Sequence, residues 1–295
     1  MQDIGIFTPQ LTADGSFTFF SEEFGETFHS QQGAKKEAEL KFVEPTQLRQ
    51  KAQQPILHLL DICYGLGYNT AAALETIWAV NPNCRVEWVG LELDVAVPKA
   101  AIAHHLLNHW SPEHAPIFHQ LATSGKVQTE RLNAQLIVGD ARATIQQVYH
   151  SNFRADAIFL DPFSPPRCPQ LWTVEFLGWV AKCLKPDGRL ATYSCAAAVR
   201  TALMAAGLQI GATVPVGRRS PGTVASFTTL DLAALSVQEQ EHLHSQAAIP
   251  YRDPHLCDPA DAILQRRQID RQASALEPTS HWKKRWLFPS RLGIQ

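Results

Sequence analysis

The chain has 295 residues, of which 45% are hydrophobic and 18% are charged. These proportions exclude a globally disordered chain and indicate one large core with room for a small appendage. With 26 basic and 28 acidic residues the formal net charge is −2, so there is no general basic excess, and any RNA contact must come from a local patch.

The cysteines and the N-terminus indicate the cellular compartment. None of the six cysteines forms a C-x-x-C pair, so the sequence predicts neither a zinc site nor a disulfide framework, and free thiols suit a reducing cytosol. The N-terminus lacks a basic start followed by an apolar run, and no stretch approaches the roughly 18 apolar residues of a membrane span. We therefore expect a cytoplasmic protein that does not contact a membrane.

Residues 1–54 are polar and irregular and form a predicted N-terminal appendage. Asp14-Gly15 lies between Leu11 and the aromatic run at residues 17–20, a pattern typical of a β-hairpin. Residues 35–43 then predict one short helix.

Strand and helix patterns alternate through residues 55–230. The predicted strands are residues 56–61, 85–92, 134–138, 155–160, 189–195 and 224–230, and the predicted helices include residues 70–80, 95–108, 173–184 and 196–206. This alternation predicts a doubly wound, Rossmann-like α/β domain with a parallel sheet covered by helices on both faces. Two segments depart from the rhythm: a polar insertion at residues 109–132 and a helical, partly basic C-terminal extension at residues 231–295.

The first predicted strand leads directly into a glycine-containing turn, Asp61-Ile62-Cys63-Tyr64-Gly65-Leu66-Gly67. Glycines let the backbone approach a ligand closely, and the following helix offers free N–H groups. A dinucleotide fingerprint requires a third glycine where this chain has Thr70. S-adenosylmethionine carries no phosphate and tolerates that residue, so we favour it over a nicotinamide cofactor. The alternative is a tight structural turn.

Acidic residues end the next two strands, at Glu92 and Asp140. A carboxylate at the position of Glu92 accepts both ribose hydroxyls of a nucleoside cofactor, and Asp140 can accept a hydrogen bond from the adenine amino group. The alternatives are a solvent-facing strand end for Glu92 and a helix N-cap for Asp140. We predict that S-adenosylmethionine contacts Asp61 and Gly65, Gly67, Glu92, Asp140 and Asp161.

The fourth strand of the alternating region closes with Asp161-Pro162-Phe163-Ser164-Pro165. Proline fixes the turn, the carboxylate can accept a hydrogen bond from an amine, and the ring can stack on a base. Methyl transfer is an in-line displacement in which positioning does most of the work. We predict Asp161 and Phe163 as the catalytic residues of an amine N-methyltransferase, with Asp161 either taking the proton or only orienting the nitrogen. A proline-rich structural turn is the alternative.

Taken together, these motifs resemble the MnmC-like methyltransferase family. The resemblance extends over nearly the whole chain and rests on Phe24-Gly25-Glu26-Thr27-Phe28-His29-Ser30, residues 61–69, residues 159–165 with Leu171-Trp172, residues 184–188, residues 190–194 and Ala198-Val199-Arg200. It implies methylation of 5-aminomethyl-2-thiouridine at the tRNA wobble position. It also implies that Gly65, Gly67, Glu92 and Asp140 hold the cofactor, that Asp161 and Phe163 face the acceptor, and that the segment with Glu26 and His29 folds over the cofactor.

Two departures from the family pattern bear on the substrate. Bifunctional members carry a flavin-dependent oxidase domain, and this chain shows no second G-x-G-x-x-G, so we expect it to act on a ready-made aminomethyl group. A loop with two arginines, residues 217–222, occupies the place where we expect a lysine-bearing glycine loop.

Basic and histidine-rich segments complete the set of candidates. The residues predicted to bind the phosphates of substrate RNA are Arg218, Arg219, Lys283, Lys284 and Arg285, and Trp282 and Trp286 could stack on its bases. The alternative is that these basic residues only form a solvated helical face. The histidines at 104, 105, 109, 114 and 119 lack an acid or cysteine to complete a ligand set, so no metal is expected.

Three other functions remain open at this level. They are methylation of a small-molecule or protein amine, nucleotide binding without catalysis, and an oxidoreductase activity.

Overall fold

The computed structural model describes residues 7–216 and 220–286. Its strands are, in chain order, β1 (Gln10–Leu11), β2 (Phe17–Thr18), β3 (Phe20–Ser21), β4 (Glu26–Thr27), β5 (Ile56–Ile62), β6 (Arg85–Glu92), β7 (Lys126–Gln128), β8 (Leu132–Val138), β9 (Ala155–Leu160), β10 (Leu184–Thr192), β11 (Gln209–Ala212) and β12 (Thr223–Ser226). Its α-helices are α1 (Ala34–Ala38), α2 (Leu48–Lys51), α3 (Tyr68–Val80), α4 (Ala96–Ala103), α5 (Ala115–Ser124), α6 (Ala141–His150), α7 (Val174–Lys182), α8 (Ala197–Ala205), α9 (Val237–His242), α10 (Ala260–Ala273) and α11 (Thr279–Trp286).

The centre of the molecule is an eight-stranded mixed sheet in the order β11-β12-β10-β9-β5-β6-β8-β7. Strands β8, β6, β5, β9 and β10 run parallel. From β5 the chain proceeds to β6 and β8 on one side and then crosses to β9 and β10 on the other. The order therefore reverses between β5 and β9, and ligands in such sheets bind at the carboxyl ends of the strands at that reversal.

Both faces of the sheet are buried, as the near-continuous apolar sequence of β5 indicates. Because side chains alternate along a strand, Leu57 and Leu59 pack into the core cluster on one face, with α3, α4 and α5. Leu60 and Ile62 pack into the cluster on the opposite face, with α6, α7 and α8. The predicted doubly wound α/β fold is confirmed in this arrangement.

The predicted parallel sheet is present in the five central strands, whereas the edges of the sheet are antiparallel. Strand β12 runs antiparallel to β10, and two strands that were not predicted, β7 and β11, pair antiparallel with β8 and β12. These strands have three or four residues each, which is too short for an alternating pattern to show. Strand β10 begins at Leu184, before the predicted start at residue 189, and its register with β9 shifts between Leu184 and Arg189. Proline and glycine are tolerated in a strand at such an irregularity.

The polar insertion at residues 109–132 contains regular structure. Helix α5 buries Phe118 and Leu121 against the sheet and ends at Gly125, which has a φ of 71°. Glycine adopts that left-handed conformation without strain. The chain then turns back and adds β7 to the sheet edge.

The N-terminal and C-terminal segments pack on this domain. The predicted hairpin at Asp14-Gly15 is confirmed by the pairing of β1 with β2, and residues 39–43 continue α1 as one π-helical turn. In the C-terminal extension, Glu239 of α9 pairs with the buried Arg200 at 2.8 Å. Across the described ranges, no helix combines the length and apolar character needed to cross a bilayer.

Candidate active site

A cavity of about 460 Å³ opens at the carboxyl ends of β5, β6 and β9. That volume is within the range of about 300–1,000 Å³ usual for ligand pockets. The turns after these strands contribute Cys63, Gly65, Glu92, Leu93, Asp94 and residues 161–164, and the N-terminal segment contributes residues 20–21 and 23–30. The cavity therefore lies where the strand order reverses.

The turn between β5 and α3 is held in a tight conformation that depends on glycine. Gly65 and Gly67 have φ values of 56° and 88°, in the left-handed region that favours glycine. A Cβ on Gly67 would lie 2.5 Å from the Tyr64 hydroxyl oxygen. Gly65 lines the cavity, whereas Gly67 allows the chain to fold over the Tyr64 ring.

Glu92 forms part of the cavity wall beside this turn. One carboxylate oxygen accepts a hydrogen bond from the Gly65 N–H at 2.7 Å, and the other accepts from the N–H groups of Leu93 and Asp94 at 2.8 and 3.0 Å. Burial raises the pKa of Glu92, while the three N–H donors act to lower it. The carboxylate is thus fixed next to the glycine turn, where it can accept the hydroxyl groups of a ribose.

Asp61 lies behind the cavity lining. Its Oδ2 accepts a hydrogen bond from the Thr70 hydroxyl at 2.6 Å, and burial raises the pKa of Asp61 to about 7. Thr70 therefore has a specific partner at the position where a dinucleotide-binding turn has its third glycine. Asp61 Oδ1 and Asn69 Oδ1 are buried acceptors that have no donor among the described residues.

Asp140 caps α6 rather than lining the cavity. Its carboxylate accepts a hydrogen bond from the Arg142 N–H at 2.9 Å and pairs with the Arg142 side chain at 2.7 Å. Arg142 also pairs with the buried Asp253 of the C-terminal extension at 2.8 Å. The N-cap interpretation of Asp140 is confirmed, and the structure does not bring this residue into the cavity wall.

Asp161 and the glycine turn meet through a residue that the sequence analysis missed. The Asn69 side-chain amide donates to Asp161 Oδ2 at 2.9 Å, so the turns after β5 and β9 converge. Burial raises the pKa of Asp161 well above its usual value, the charge of Glu37 raises it further, and the Asn69 hydrogen bond lowers it. The result is a carboxyl group with a high affinity for a proton inside the cavity. Asn69 ends the motif at residues 61–69 but was not predicted as a site residue, because the local sequence does not show which distant side chain it contacts.

Phe163 stands in an aromatic group with two residues of the N-terminal segment. Phe24 stacks on Phe163 with ring centroids 4.4 Å apart, and Phe28 meets it edge-on at 5.0 Å. The Ser164 N–H donates to the Glu26 carboxylate at 3.0 Å. The hairpin formed by β3 and β4 therefore covers the Asp161–Ser164 turn.

An ion pair from the same segment lies beside Asp161. The Lys41 ammonium pairs with the Glu37 carboxylate at 2.7 Å, and these side chains are 2% and 11% exposed. Glu37 lines the cavity. Glu37 and Lys41 stand four residues apart in the predicted helix, a spacing that favours an ion pair. Such pairs usually lie on the exposed face of a helix, so the sequence did not indicate that this one is part of the cavity region.

Of the residues predicted to bind RNA, the three that the structure describes, Lys283, Lys284 and Arg285, do not line the cavity. Lys283 and Lys284 are exposed on α11, whereas Arg285 pairs with Glu277 at 2.6 Å and with Glu241 at 3.0 Å. Arg218 and Arg219 lie outside the described residues.

The five histidines of the 104–119 region do not converge. His114 packs on Trp78 with ring centroids 5.1 Å apart, and His104 meets Phe19 edge-on at 5.9 Å. Within the described part of the chain, no group of three or more His, Cys, Asp or Glu side chains is arranged to hold a metal ion.

Comparison with known proteins relates the whole chain to one family. A family model described as S-adenosyl-L-methionine-dependent methyltransferase matches residues 98–228. The crystal structure of MnmC2 from Aquifex aeolicus superposes with a TM-score of 0.79 at 33% identity, covering 92% of this chain and 87% of that one. An uncharacterised protein of Methanocaldococcus jannaschii is 30% identical over 88% of this chain and 71% of its own length.

Longer relatives match only in part. The tRNA 5-methylaminomethyl-2-thiouridine biosynthesis bifunctional protein MnmC of Ralstonia nicotianae is 30% identical over 75% of this chain. That match covers 34% of the bifunctional protein, so the chain spans about a third of its length.

The residues that line the cavity are suited to S-adenosylmethionine. Glu92, fixed by the Gly65 N–H, presents a carboxylate to the cavity, and Gly65 allows a ligand to approach the backbone closely. The chain belongs to the MnmC-like family of S-adenosyl-L-methionine-dependent methyltransferases.

Proposed function

We propose that this enzyme methylates the amine of 5-aminomethyluridine, with or without 2-thiolation, at the wobble position of tRNA. The observation that carries the proposal is the hydrogen bond from Asn69 to Asp161, because it brings the glycine turn and the acid-proline-aromatic turn together in one cavity. The names of the bifunctional relatives, which refer to 5-methylaminomethyl-2-thiouridine in tRNA, supply the substrate class.

The chain's own residues would orient the acceptor and hold its proton. S-adenosylmethionine supplies an electrophilic methyl group on a sulfonium when bound. The Asp161 carboxylate accepts a hydrogen bond from the amine, directs the nitrogen lone pair towards the glycine turn and can take up the proton that the amine must lose. Burial raises the pKa of Asp161, which increases the affinity of this carboxylate for a proton. Glu92 and Gly65 would hold the ribose beside it.

The aromatic group suits a nucleobase acceptor. Phe163 lies in the cavity wall with Phe24 stacked on it. An aromatic face can stack on any base, and such stacking contributes about 1–3 kcal/mol per base. A uracil ring lying against Phe163 would place its 5-substituent towards Asp161.

The competing proposal is methylation of a small-molecule or protein amine. RNA binding releases counterions, so its affinity falls steeply with salt, whereas binding of a small amine depends on salt weakly. The exposed Lys283 and Lys284 are candidates for such phosphate contacts, together with Arg218 and Arg219.

The test is incubation with methyl-labelled S-adenosylmethionine and tRNA that bears 5-aminomethyluridine, followed by nucleoside analysis. We expect label in 5-methylaminomethyluridine and none in tRNA that lacks the aminomethyl group. Label at another nucleoside, or equal transfer to free small amines, would contradict the proposal.

A further inference from the structure

The Glu37–Lys41 ion pair is buried at the end of the cavity that holds Asp161. Lys41 is 1% exposed and lies in the π-helical turn after α1. Its ammonium donates to one Glu37 oxygen at 2.7 Å, and the Ser30 N–H donates to the other at 2.8 Å. Although burial acts to raise it, the pKa of Glu37 is lowered by Lys41 and by this N–H group. Glu37 is therefore kept ionised inside the cavity wall.

A contribution to folding stability does not by itself explain why this ion pair is buried. Removing two charges from water costs several kcal/mol, and a well-packed apolar pair is often as stable. A second buried pair, Arg200 with Glu239, joins the C-terminal extension to α8. Glu37 differs from Glu239 because it lines the cavity and its charge acts on Asp161.

We propose that Glu37 is a positioning residue for the amine acceptor: its carboxylate, kept charged by Lys41, makes the acceptor end of the cavity negative, so that an ammonium group enters and passes its proton to Asp161. The proposal rests on the proposed function, since it assigns a role towards an amine.

The charges around Asp161 come from several elements. The N-terminal segment contributes Glu37 and Lys41, and β5 contributes Asp61. His29 of the same segment is uncharged near neutral pH, because burial lowers its pKa to about 4 against the charges of Glu37 and Asp14. Glu37 lines the cavity and Lys41 does not, so an ammonium group that enters meets the Glu37 carboxylate rather than the Lys41 ammonium.

The proposed step transfers one proton from the ammonium group and one methyl group to its nitrogen. The ammonium N–H bond breaks and its proton goes to the Asp161 carboxylate, which leaves a neutral amine with a lone pair. That pair forms the new N–C bond as the S–C bond breaks with its electrons on sulfur. Each turnover releases one proton, from Asp161 to solvent.

Substitutions at the two ends of the ion pair should shift the pH profile in opposite directions. Removing the negative charge in Glu37→Gln lowers the pKa of Asp161 and of the bound amine, so the acid limb of the kcat profile should move down by about one pH unit. The KM for the amine should rise at the same time. Lys41→Met removes the positive charge and should move the limb up by a similar amount.

Glu239→Gln is the matched control, because it breaks the buried ion pair that is remote from the cavity. It should lower the midpoint of thermal unfolding while leaving the acid limb in place. If one single variant fails to fold, the other still tests the inference, because a shift of its acid limb in the stated direction supports the inference and an unmoved limb contradicts it.

A direct titration separates this inference from the proposed function. Carboxyl carbon NMR of Asp161, assigned by its loss in Asp161→Asn, reports the pKa without any substrate. A lower pKa in Glu37→Gln supports the inference even if aminomethyluridine is not the acceptor. An unchanged Asp161 titration with an unmoved acid limb would overturn it, and would show that the ion pair serves only the fold.

Discussion

At the residue scale, the cavity region contains buried carboxyl groups that the structure treats differently. Asp61 is held by one hydroxyl group, Glu92 by three backbone N–H groups and Asp161 by one side-chain amide. More N–H donors favour the ionised form, so Glu92 is built to accept hydrogen bonds. Asp161, with a single donor and a raised pKa, is built to exchange a proton.

Asp161→Asn should abolish most of the methyl transfer. The amide keeps the shape of the side chain but cannot take up a proton, and general bases contribute about 10²–10⁴-fold to rates. We expect kcat to fall by at least about 100-fold while the affinity for S-adenosylhomocysteine, measured by calorimetry, stays nearly unchanged.

Asp156→Asn is the control for that substitution. Asp156 is a buried acid near the other end of β9, where it pairs with Lys185 at 2.8 Å. It should lower stability while turnover per folded molecule is kept. Full turnover by Asp161→Asn would remove this residue from the mechanism.

Glu92→Gln should weaken cofactor binding and leave the chemistry largely intact. The new amide group would point a donor at one of the N–H groups of Gly65, Leu93 and Asp94, and the charged acceptor for the ribose would be lost. Hydrogen bonds to charged groups contribute about 1.5–3 kcal/mol, so the dissociation constant measured by calorimetry should rise about 10- to 100-fold. Glu87→Gln, at the other end of β6, should change it little. Equal affinity in both variants would show that Glu92 does not contact the cofactor.

At the element scale, the sequence was most informative where strands are buried on both faces. The bounds of β6 and β9 match the predictions because their apolar runs are flanked by clear turns. The N-terminal segment was harder, because its role comes from contacts with distant elements: Glu26 bonds to Ser164 and Phe24 stacks on Phe163. A local pattern does not reveal which distant turn a hairpin covers.

Removing the Phe24 ring should therefore impair use of the acceptor more than binding of the cofactor. Phe24→Ala takes away one face of the stacked pair and opens the cover over the Asp161–Ser164 turn. We expect kcat/KM for tRNA to fall about tenfold or more, in line with the stacking energies of bases on aromatic rings, with little change in S-adenosylhomocysteine affinity. Leu11→Ala, an exposed position on the other hairpin, is the control. A selective loss of cofactor affinity in Phe24→Ala would instead place the hairpin over the cofactor.

At the scale of the whole molecule, some of the basic residues that could contact RNA are instead held in ion pairs. Arg285 is paired with two acids, and Arg142 ties the extension to α6 through Asp253. The sequence predicted the basic character of the extension but not these partners, because pairing depends on tertiary packing. The same limitation applies to the candidate site: Asp161, Phe163, Gly65 and Glu92, which line the cavity, were predicted from strand-end motifs, whereas Asn69, Glu37 and Lys41 required the fold.

The most direct test of the account is a crystal structure of the enzyme with S-adenosylhomocysteine and 5-aminomethyluridine. We expect the ribose hydroxyls to donate hydrogen bonds to Glu92. We expect the amine nitrogen to lie within hydrogen-bond distance of Asp161, at about 2.7–3.2 Å, with its lone pair facing the sulfur. A nucleoside bound away from Glu92, or an amine that faces away from Asp161, would contradict it.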